Sequence, residues 1–371
     1  MKHAWRVGKI AGIEIRIDSS WFVILILFTW YLASSYFPER FPDWPSLQHW
    51  LIGFVTSLLL FTSVLVHELS HSLVAIAQGE KVKSITLFIL GGVAQISEEP
   101  KQPLKEFFMA LVGPMASFAI GFMALFISFF LDGVSETIGS IAFYLGLMNI
   151  ILAVFNLLPG FPMDGGRVLR SVIWQVTGDL RKATKIASRI GQGFAFFLIF
   201  AGILQILWVG LSGFWLVFVG WFLHSAAVRG YQQVMVESVL KGISAEELMT
   251  REFPTVPSTL IVQDLVDVYI LRQKERVFLV QDAGVLKGIV CLEDVKAIAL
   301  EDREKTTVAE IMTPRDKLEA VALDSDGGDI LKSLTSKDIH QVPVMDGDRV
   351  VGIICRADIL RFIQLRKDLG V

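Results

Sequence analysis

Charge and cysteine are both scarce in this chain of 371 residues, a length that suggests more than one domain. Charged residues make up 19% of it, against about 25% in soluble globular domains, while hydrophobic residues make up 53%. This balance excludes a disordered chain and argues against a wholly soluble enzyme. Two cysteines, Cys291 and Cys355, are too few for a disulfide-rich secreted scaffold. A net charge of −3 provides no basic surface for nucleic acid, which we therefore exclude as a partner.

Long apolar runs fill the first part of the chain. A helix needs about 20 mainly apolar residues to cross a bilayer. The alternative, a set of buried helices in a large soluble core, is disfavoured because so many runs follow one another so closely. We therefore predict a polytopic α-helical membrane domain over residues 1–229, a linker over 230–242 and a soluble domain over 243–371. The six predicted spans are 20–37, 50–78, 107–131, 137–158, 186–208 and 213–229.

Lysine and arginine are unevenly divided between the connections of these spans. Thirteen lie on the side that carries the N-terminal segment and the connections 79–106 and 159–185, whereas the other side has Arg40 alone. Short loops rich in lysine and arginine stay in the cytoplasm. The sequence therefore predicts an integral protein of the cell membrane of a prokaryote, with both termini and the soluble domain in the cytoplasm.

The soluble domain contains an internal repeat. The segment EELMT at 246–250 returns as AEIMT at 309–313. In each copy a strand–turn–strand pattern follows, and then a helix that opens at an aspartate, Asp294 in the first copy and Asp358 in the second. The pattern predicts a soluble α/β module of two halves, 243–300 and 307–368.

This repeat resembles a tandem pair of CBS domains, a module that forms a pseudo-symmetric α/β disc and can bind adenine nucleotides between its halves. In nucleotide-binding members the strand before the helix commonly reads G-h-h-[S/T]-x-x-D, and its hydroxyl and carboxylate contact phosphate and ribose. Here Cys291 and Cys355 occupy the hydroxyl positions, and a thiol is a weaker hydrogen-bonding group. The resemblance implies Asp294 and Asp358 as ribose contacts of a nucleotide. A folding, docking or homodimer-forming module without a nucleotide is the alternative.

The second predicted span carries the pattern His67-Glu68-Leu69-Ser70-His71. Residues four apart lie on one face of a helix, so both imidazoles can bind one metal ion. Zinc accepts such ligands, and the glutamate would lie beside the open coordination position as a general base. Ionisable side chains inside a bilayer are costly and usually mark function. The motif therefore predicts one catalytic zinc ion per chain, rather than a polar cluster at the membrane surface.

A catalytic zinc ion usually has three protein ligands and one water molecule. The strongest third candidate is Asp164, in the segment NLLPGFPMDGGR at 156–167, which follows a span expected to end on the cytoplasmic side. The prolines and glycines of this segment predict irregular backbone, which is tolerated at this depth where it lines a cavity. His224 in the last span is the second candidate, although its setting favours a hydrogen bond between helices.

The H-E-x-x-H helix, the N-x-x-P-x-x-P-x-D-G-G segment and the six-span layout together resemble the site-2 protease family of intramembrane zinc metalloproteases, in the branch that carries a C-terminal CBS pair. The resemblance implies His67, His71 and Asp164 as zinc ligands, Glu68 as catalytic base, and Asn156 as a residue that binds substrate or stabilises the oxyanion.

The same resemblance implies hydrolysis of peptide bonds within or near transmembrane segments of other proteins, with regulation through the CBS pair. Two alternatives belong to other classes. A CBS-regulated transporter would not need the H-E-x-x-H motif, and the intact Glu68 counts against a non-catalytic membrane scaffold.

Two shorter segments complete the membrane domain. The connection 79–98 is too short for a span and predicts a β-hairpin or re-entrant loop, and the equivalent segment of the family offers a strand edge to an extended substrate. A simple hairpin at the membrane surface is the alternative. Residues 113–117 (GPMAS) match a small-residue motif of the family, which we interpret as close helix packing near the active site rather than as chemistry. The N-terminal segment predicts a short strand pair.

Overall fold

A computed structural model describes residues 4–89, 91–96, 100, 102–131, 134–251, 253–273, 275–337, 339, 341–347 and 349–369. The chain divides into two compact units, Met1–Val234 and Met235–Val371. Within these described residues, six helical segments are long and apolar enough to cross a membrane, and α/β elements follow in the second unit. The predicted fold class, a polytopic helical membrane domain followed by a CBS pair, is confirmed.

The first unit combines long helices with four short strands. Its first span begins with α1, passes through a π-helical turn at Leu32–Tyr36 and ends with α2. The elements in chain order are β1 (Ala4–Ile10), β2 (Ile13–Asp18), α1 (Ser19–Tyr31), α2 (Phe37–Arg40), α3 (Ser46–Ala77), β3 (Val82–Phe88), β4 (Gly91–Ile96), α4 (Pro103–Leu131), α5 (Glu136–Asn156), α6 (Asp164–Thr177), α7 (Leu180–Trp208) and α8 (Phe214–Leu240).

Local sequence explains where the helices of this unit begin and end. α3 starts after Pro45 and stops before Gly79, whose φ of +91° favours glycine. α4 starts at Pro103, since a proline at the first position removes no intrahelical hydrogen bond. α6 starts at Asp164, whose negative charge suits a helix N-terminus, and it ends at Gly178 with φ of +69°.

The four strands form one sheet in the order β1-β2-β3-β4. β1 and β2 are antiparallel, β2 and β3 are parallel, and β3 and β4 are antiparallel. Both the N-terminal strand pair and the hairpin expected over 79–98 are therefore present, although Leu90 and residues 97–98 lie outside the described residues. Within the part of the chain that the structure describes, β4 pairs with β3 alone, so its outer edge is open.

The sheet is fixed to α3 by its apolar face. Ile13, Ile15 and Ile85 are buried there and pack against Leu65, just before the H-E-x-x-H motif on α3, and Leu69, within it. Burial of these side chains holds the hairpin β3–β4 beside the motif.

The second unit contains one sheet for each repeat, ordered β5-β6-β7-β8 and β11-β10-β9. Each repeat has its own apolar core, and the helix after each hairpin begins two residues before the aspartate at which the sequence placed it, at Leu292 and Arg356. The elements are α9 (Ala245–Leu248), β5 (Thr255–Val256), α10 (Val262–Asp264), α11 (Leu271–Gln273), β6 (Val277–Asp282), β7 (Val285–Cys291), α12 (Leu292–Lys296), α13 (Val308–Ile311), β8 (Thr313–Pro314), β9 (Val321–Ala322), α14 (Gly327–Ser336), β10 (Gln341–Asp346), β11 (Arg349–Cys355) and α15 (Arg356–Leu369).

The two repeats exchange the short segments that the sequence comparison singled out. Thr250 of EELMT forms two backbone hydrogen bonds with Ile353 on β11 of the second repeat, and Thr313 of AEIMT pairs with Ile289 on β7 of the first. A Cβ at Gly352 would overlap the Met249 side chain, so this close crossing requires glycine. The repeated methionine and threonine are therefore the contacts that join the halves.

Candidate active site

α3 brings the two histidines of the motif onto its buried face. His67 and His71 are 4% and 5% exposed. Their ring centroids are 4.9 Å apart, and their Nε2 atoms are 3.2 Å apart. Such a short separation of the two Nε2 atoms follows from the four-residue spacing, which places successive side chains one helical turn apart.

Asp164 reaches the same point from a distant part of the chain. Its Oδ2 atom lies 3.2 Å from Nε2 of His67 and 3.1 Å from Nε2 of His71. Within the described residues, these three are the group whose histidine and carboxylate atoms lie close enough together to bind one metal ion.

Glycine packing lets Asp164 approach so closely. The segment between α5 and α6 folds back onto the first turn of α6, where a Cβ at Gly165 would overlap the carbonyl of Leu157, and a Cβ at Gly166 would overlap the backbone of Gly160. The same segment is tied to α7 by a hydrogen bond from Phe161 N to the Ala187 carbonyl oxygen, 3.1 Å long. The D-G-G sequence therefore supplies one candidate ligand followed by two positions without side chains.

The other ring nitrogens of the two histidines contact α4. Nδ1 of His71 lies 2.5 Å from the carbonyl oxygen of Met109, to which it donates. Nδ1 of His67 lies 2.9 Å from Oγ of Ser117. A proton on Nδ1 at both residues leaves both Nε2 atoms as acceptors, which is the form that binds a metal.

The donor set fits a zinc ion. Two Nε2 lone pairs and one carboxylate oxygen converge without a hydrogen between them, an arrangement that is unfavourable unless a cation lies there. Zinc–ligand bonds of about 2.0–2.1 Å in a tetrahedral site place ligand atoms about 3.3 Å apart. The observed separations of 3.1–3.2 Å between Nε2 and Oδ2 agree with this value.

Glu68 lies next to the histidines and under strand β4. A Cβ added to Gly92 would be 2.5 Å from Cγ of Glu68 and 3.2 Å from Cδ. The open edge strand of the sheet therefore crosses directly over the carboxylate, and only glycine allows this approach.

Two other predicted residues have different surroundings. Asn156 is the last residue of α5 and is partly buried, eight residues before Asp164, and its role stays a prediction. His224 on α8 packs its ring against Phe196 on α7, with centroids 4.9 Å apart, and does not join the group of three metal-ligand residues.

Residues 113–117, which the sequence predicts as close helix packing near the active site, include two residues that lie against the histidines. Ser117 contacts a histidine of the site, and a Cβ at Gly113 would overlap the His71 ring. Glu106 was not predicted as a residue of the site, because the predicted span begins at residue 107 whereas α4 begins at Pro103. A polar residue, a glycine and a serine at spacings of seven and four residues share one helix face. This shared face is the sequence pattern that could have indicated these three residues.

In the second unit a cavity of about 660 Å³ lies between the two repeats. Asp358 lines it, together with three arginines, Arg276, Arg356 and Arg361. Asp294 is not among the lining residues, and its Oδ2 atom accepts a hydrogen bond of 2.8 Å from the backbone N–H of Cys291. The two aspartates, which are equivalent in sequence, therefore have different surroundings.

Comparison with known proteins bears on both units. The model of peptidase family M50 matches residues 55–200, and the CBS domain model matches residues 245–301 and 308–365. The chain is 35% identical to the putative zinc metalloprotease sll0528 of Synechocystis sp., over 98% of this chain and 96% of that protein. It is 31% identical to the zinc metalloprotease MJ0392 of Methanocaldococcus jannaschii, over 100% of this chain and 99% of that protein. Among solved structures, the site-2 protease from Methanocaldococcus jannaschii matches 61% of this chain and 94% of its own, with 31% identity and a TM-score of 0.44.

Proposed function

The chain belongs to peptidase family M50, the site-2 protease family of zinc metalloproteases, and we propose that His67, His71 and Asp164 hold its catalytic zinc ion, with Glu68 as the general base. One observation carries this proposal: the convergence of Nε2, Nε2 and Oδ2 from residues almost 100 positions apart in sequence, next to a glutamate. A CBS-regulated transporter does not fit a chain of a peptidase family.

Each residue of the site has its own role in the reaction. Zinc, when bound, polarises the scissile carbonyl and makes water a nucleophile at neutral pH. Glu68 takes a proton from the attacking water and passes it to the leaving amine. Met109 and Ser117 keep the histidine protons on Nδ1, and therefore the lone pairs on Nε2. Asn156, at the C-terminal end of α5, donates its amide N–H to the substrate carbonyl or to the oxyanion that forms from it.

The substrate binds as an added strand. A peptide bond inside a helix is sterically shielded, so a transmembrane segment must become extended before it is attacked. β4 has an open edge and crosses over Glu68, and an extended peptide can pair with such an edge. The substrates are transmembrane segments of other proteins, and residues that weaken a helix within them favour cleavage.

The protein is an integral membrane protein. The excess of lysine and arginine in its connections supports an orientation with both termini and the CBS pair in the cytoplasm, in the cell membrane of a prokaryote. The catalytic domain occupies residues 1–229 and the CBS pair residues 243–371, joined by 230–242.

The CBS pair regulates cleavage by binding an adenine nucleotide in the cavity between its repeats. Asp358 accepts hydrogen bonds from the ribose, and the arginines that line the cavity bind the phosphates. Asp294, the equivalent residue, serves the same role at a second position after its contact with Cys291 opens. A homodimer forms through the CBS domains.

Cleavage in a membrane tests the proposed function. The full-length chain is expressed together with a panel of single-span membrane proteins, each tagged at both ends. We expect shortened tagged fragments with the wild type and none with Glu68→Gln, while Glu80→Gln, an acid just beyond α3, cleaves normally. A non-catalytic scaffold is supported if fragments are equally abundant with Glu68→Gln and the wild type.

A further inference from the structure

One buried face of α4 packs against the two histidines. Met109 and Ser117 accept the histidine hydrogen bonds at 2.5 and 2.9 Å, and Gly113 leaves room for the His71 ring. This face therefore orients the two imidazoles. Asp164, however, comes from α6, so its position depends on how α6 is fixed to α4.

A buried ion pair makes that connection. Glu106 lies three residues before Met109 on the same α4 face, and Arg170 lies six residues after Asp164 on α6. Both side chains are buried, at 1% and 2% exposure. Nε of Arg170 donates to Oε1 of Glu106 over 2.8 Å, and Nη2 of Arg170 donates to the same oxygen.

Two neighbours complete this contact. The ring of Phe161, in the segment just before Asp164, lies 5.3 Å from the guanidinium carbon of Arg170. Nε of Arg167 lies 3.7 Å from the same Glu106 oxygen. The arginine therefore contacts both α4 and the irregular segment that precedes Asp164.

The chemistry of the pair suggests orientation rather than stability. A buried ion pair contributes little net stability because both charges lose their hydration. A planar guanidinium, in contrast, fixes direction, because its N–H groups point along set lines. With a rise of about 1.5 Å per residue, Arg170 lies about 9 Å along α6 from Asp164, close enough for its orientation to control that of the first turn.

We propose that Glu106 and Arg170 are positioning residues of the metal centre, which fix α6 against α4 and thereby hold Asp164 at the two histidines. The inference rests on the proposed function, since it takes His67, His71 and Asp164 as ligands. The pair contacts neither substrate nor metal. It affects the affinity for the metal and the geometry of the three ligands.

The test measures metal binding to the full-length protein in detergent. Zinc affinity is determined by competition with a chelator, the ligand geometry by the visible absorption of bound Co²⁺, and folding by thermal unfolding. Three variants are compared: Glu106→Gln, Arg170→Lys, and the double variant Glu106→Gln/Arg170→Gln. We expect each to bind zinc about 10–100-fold more weakly than the wild type and to change the Co²⁺ spectrum. Arg189→Gln, at an exposed position of α7, is the matched control and should change neither.

The double variant separates positioning from stability. Glu106→Gln alone removes the negative charge that faces the buried Arg170 guanidinium and is expected to lower the unfolding temperature, whereas the double variant removes both charges and should recover it. A double variant that is stable but still binds zinc weakly supports the proposal. Wild-type affinity and spectrum in a stable double variant overturn it, because the pair then served folding alone.

Arg170→Lys decides the matter if the double variant does not fold. It keeps the charge and loses the planar fork, so weaker zinc binding supports positioning, and unchanged affinity and spectrum overturn it.

His67→Ala distinguishes failure of the proposed function from failure of this inference. A wild type without zinc, or a His67→Ala variant that keeps it, removes the proposed metal centre and this inference with it. Normal wild-type binding with unaffected pair variants removes this inference alone.

Discussion

At the scale of single residues, the site depends on positions where a side chain is absent as much as on those where one is present. Gly113 faces His71, Gly92 faces Glu68, and Gly165 faces the backbone of Leu157. Each glycine brings a different catalytic or ligand group into place. Single methyl groups should therefore separate the functions of the site.

Adding a methyl group with Gly113→Ala should displace the His71 ring, because the new Cβ would overlap it. We expect zinc affinity to fall at least about 10-fold, with a loss of stability of about 1–3 kcal/mol from overpacking. Zinc content after dialysis against a weak chelator measures the effect. Gly193→Ala on α7 is the matched control, since its Cβ would enter open space, and it should keep its zinc. Equal zinc retention in the two variants would contradict this account of Gly113.

The two cysteines of the second unit should react slowly with thiol reagents. Burial, together with the hydrogen bond to Asp294, raises the pKa of Cys291 to about 11, and burial, together with the nearby Asp358 charge, raises the pKa of Cys355 to about 12. At pH 8 about one thiol in a thousand is then ionised at Cys291 and about one in ten thousand at Cys355, and the thiolate is the reactive form. Mass spectrometry should detect little alkylation of the native protein by iodoacetamide at pH 8, an increase above pH 10, and two adducts after denaturation. Rapid double labelling of the native protein at pH 8 would count against these environments.

At the scale of elements, the described residues bring three helices and one strand together at the site, and α4 orients the two histidines. α3 contributes the motif, α6 the third ligand and β4 the surface above Glu68. Because these elements act separately, damage to the strand should leave the metal in place.

Gly92→Ala should uncouple metal binding from hydrolysis. The added Cβ would lie 2.5 Å from Cγ of Glu68 and must displace either the glutamate or β4, while the ligand residues keep their contacts. We expect about one zinc per chain and at least a 10-fold slower appearance of cleaved fragments, because the proton acceptor is misplaced. Loss of zinc together with activity would show instead that β4 supports the metal centre itself.

The sequence predicted the features that depend on residues near one another in the chain, and it missed contacts between residues that are distant in sequence. The H-E-x-x-H motif was readable because its four-residue spacing creates a site within one helix. Asp164 was readable from its setting of prolines and glycines just after a predicted span. The contacts of Ser117 and Glu106 were not, because their partners lie 50 and 64 residues away, and small residues in a membrane helix usually indicate packing. No local pattern says which face of α4 meets which neighbour.

At the scale of the whole molecule, the chain joins a peptidase domain to a pair of CBS domains whose two halves are no longer equivalent. Both aspartates contact the cysteine three residues before them, but Asp358 lines the cavity between the repeats and Asp294 is not among the lining residues. This asymmetry predicts that one aspartate matters more than the other.

Asp358→Ala should abolish nucleotide binding, whereas Asp294→Asn should weaken it less. The unfolding temperature of the full-length protein reports binding, since a ligand that binds the native state stabilises it by mass action. We expect ATP or AMP to raise that temperature in the wild type and in Asp294→Asn, but not in Asp358→Ala. If neither nucleotide shifts the wild type, the CBS pair serves assembly rather than sensing.

The amount of zinc in the purified full-length protein tests the central claim most directly. The wild type is compared with His67→Ala, Asp164→Asn and Glu68→Gln, each in detergent and each supplied with zinc before dialysis. We predict about one zinc ion per chain in the wild type and in Glu68→Gln, none in His67→Ala, and a strongly reduced amount in Asp164→Asn. A wild type that holds no zinc, or an Asp164→Asn variant that holds as much as the wild type, would contradict the assignment of this metal centre.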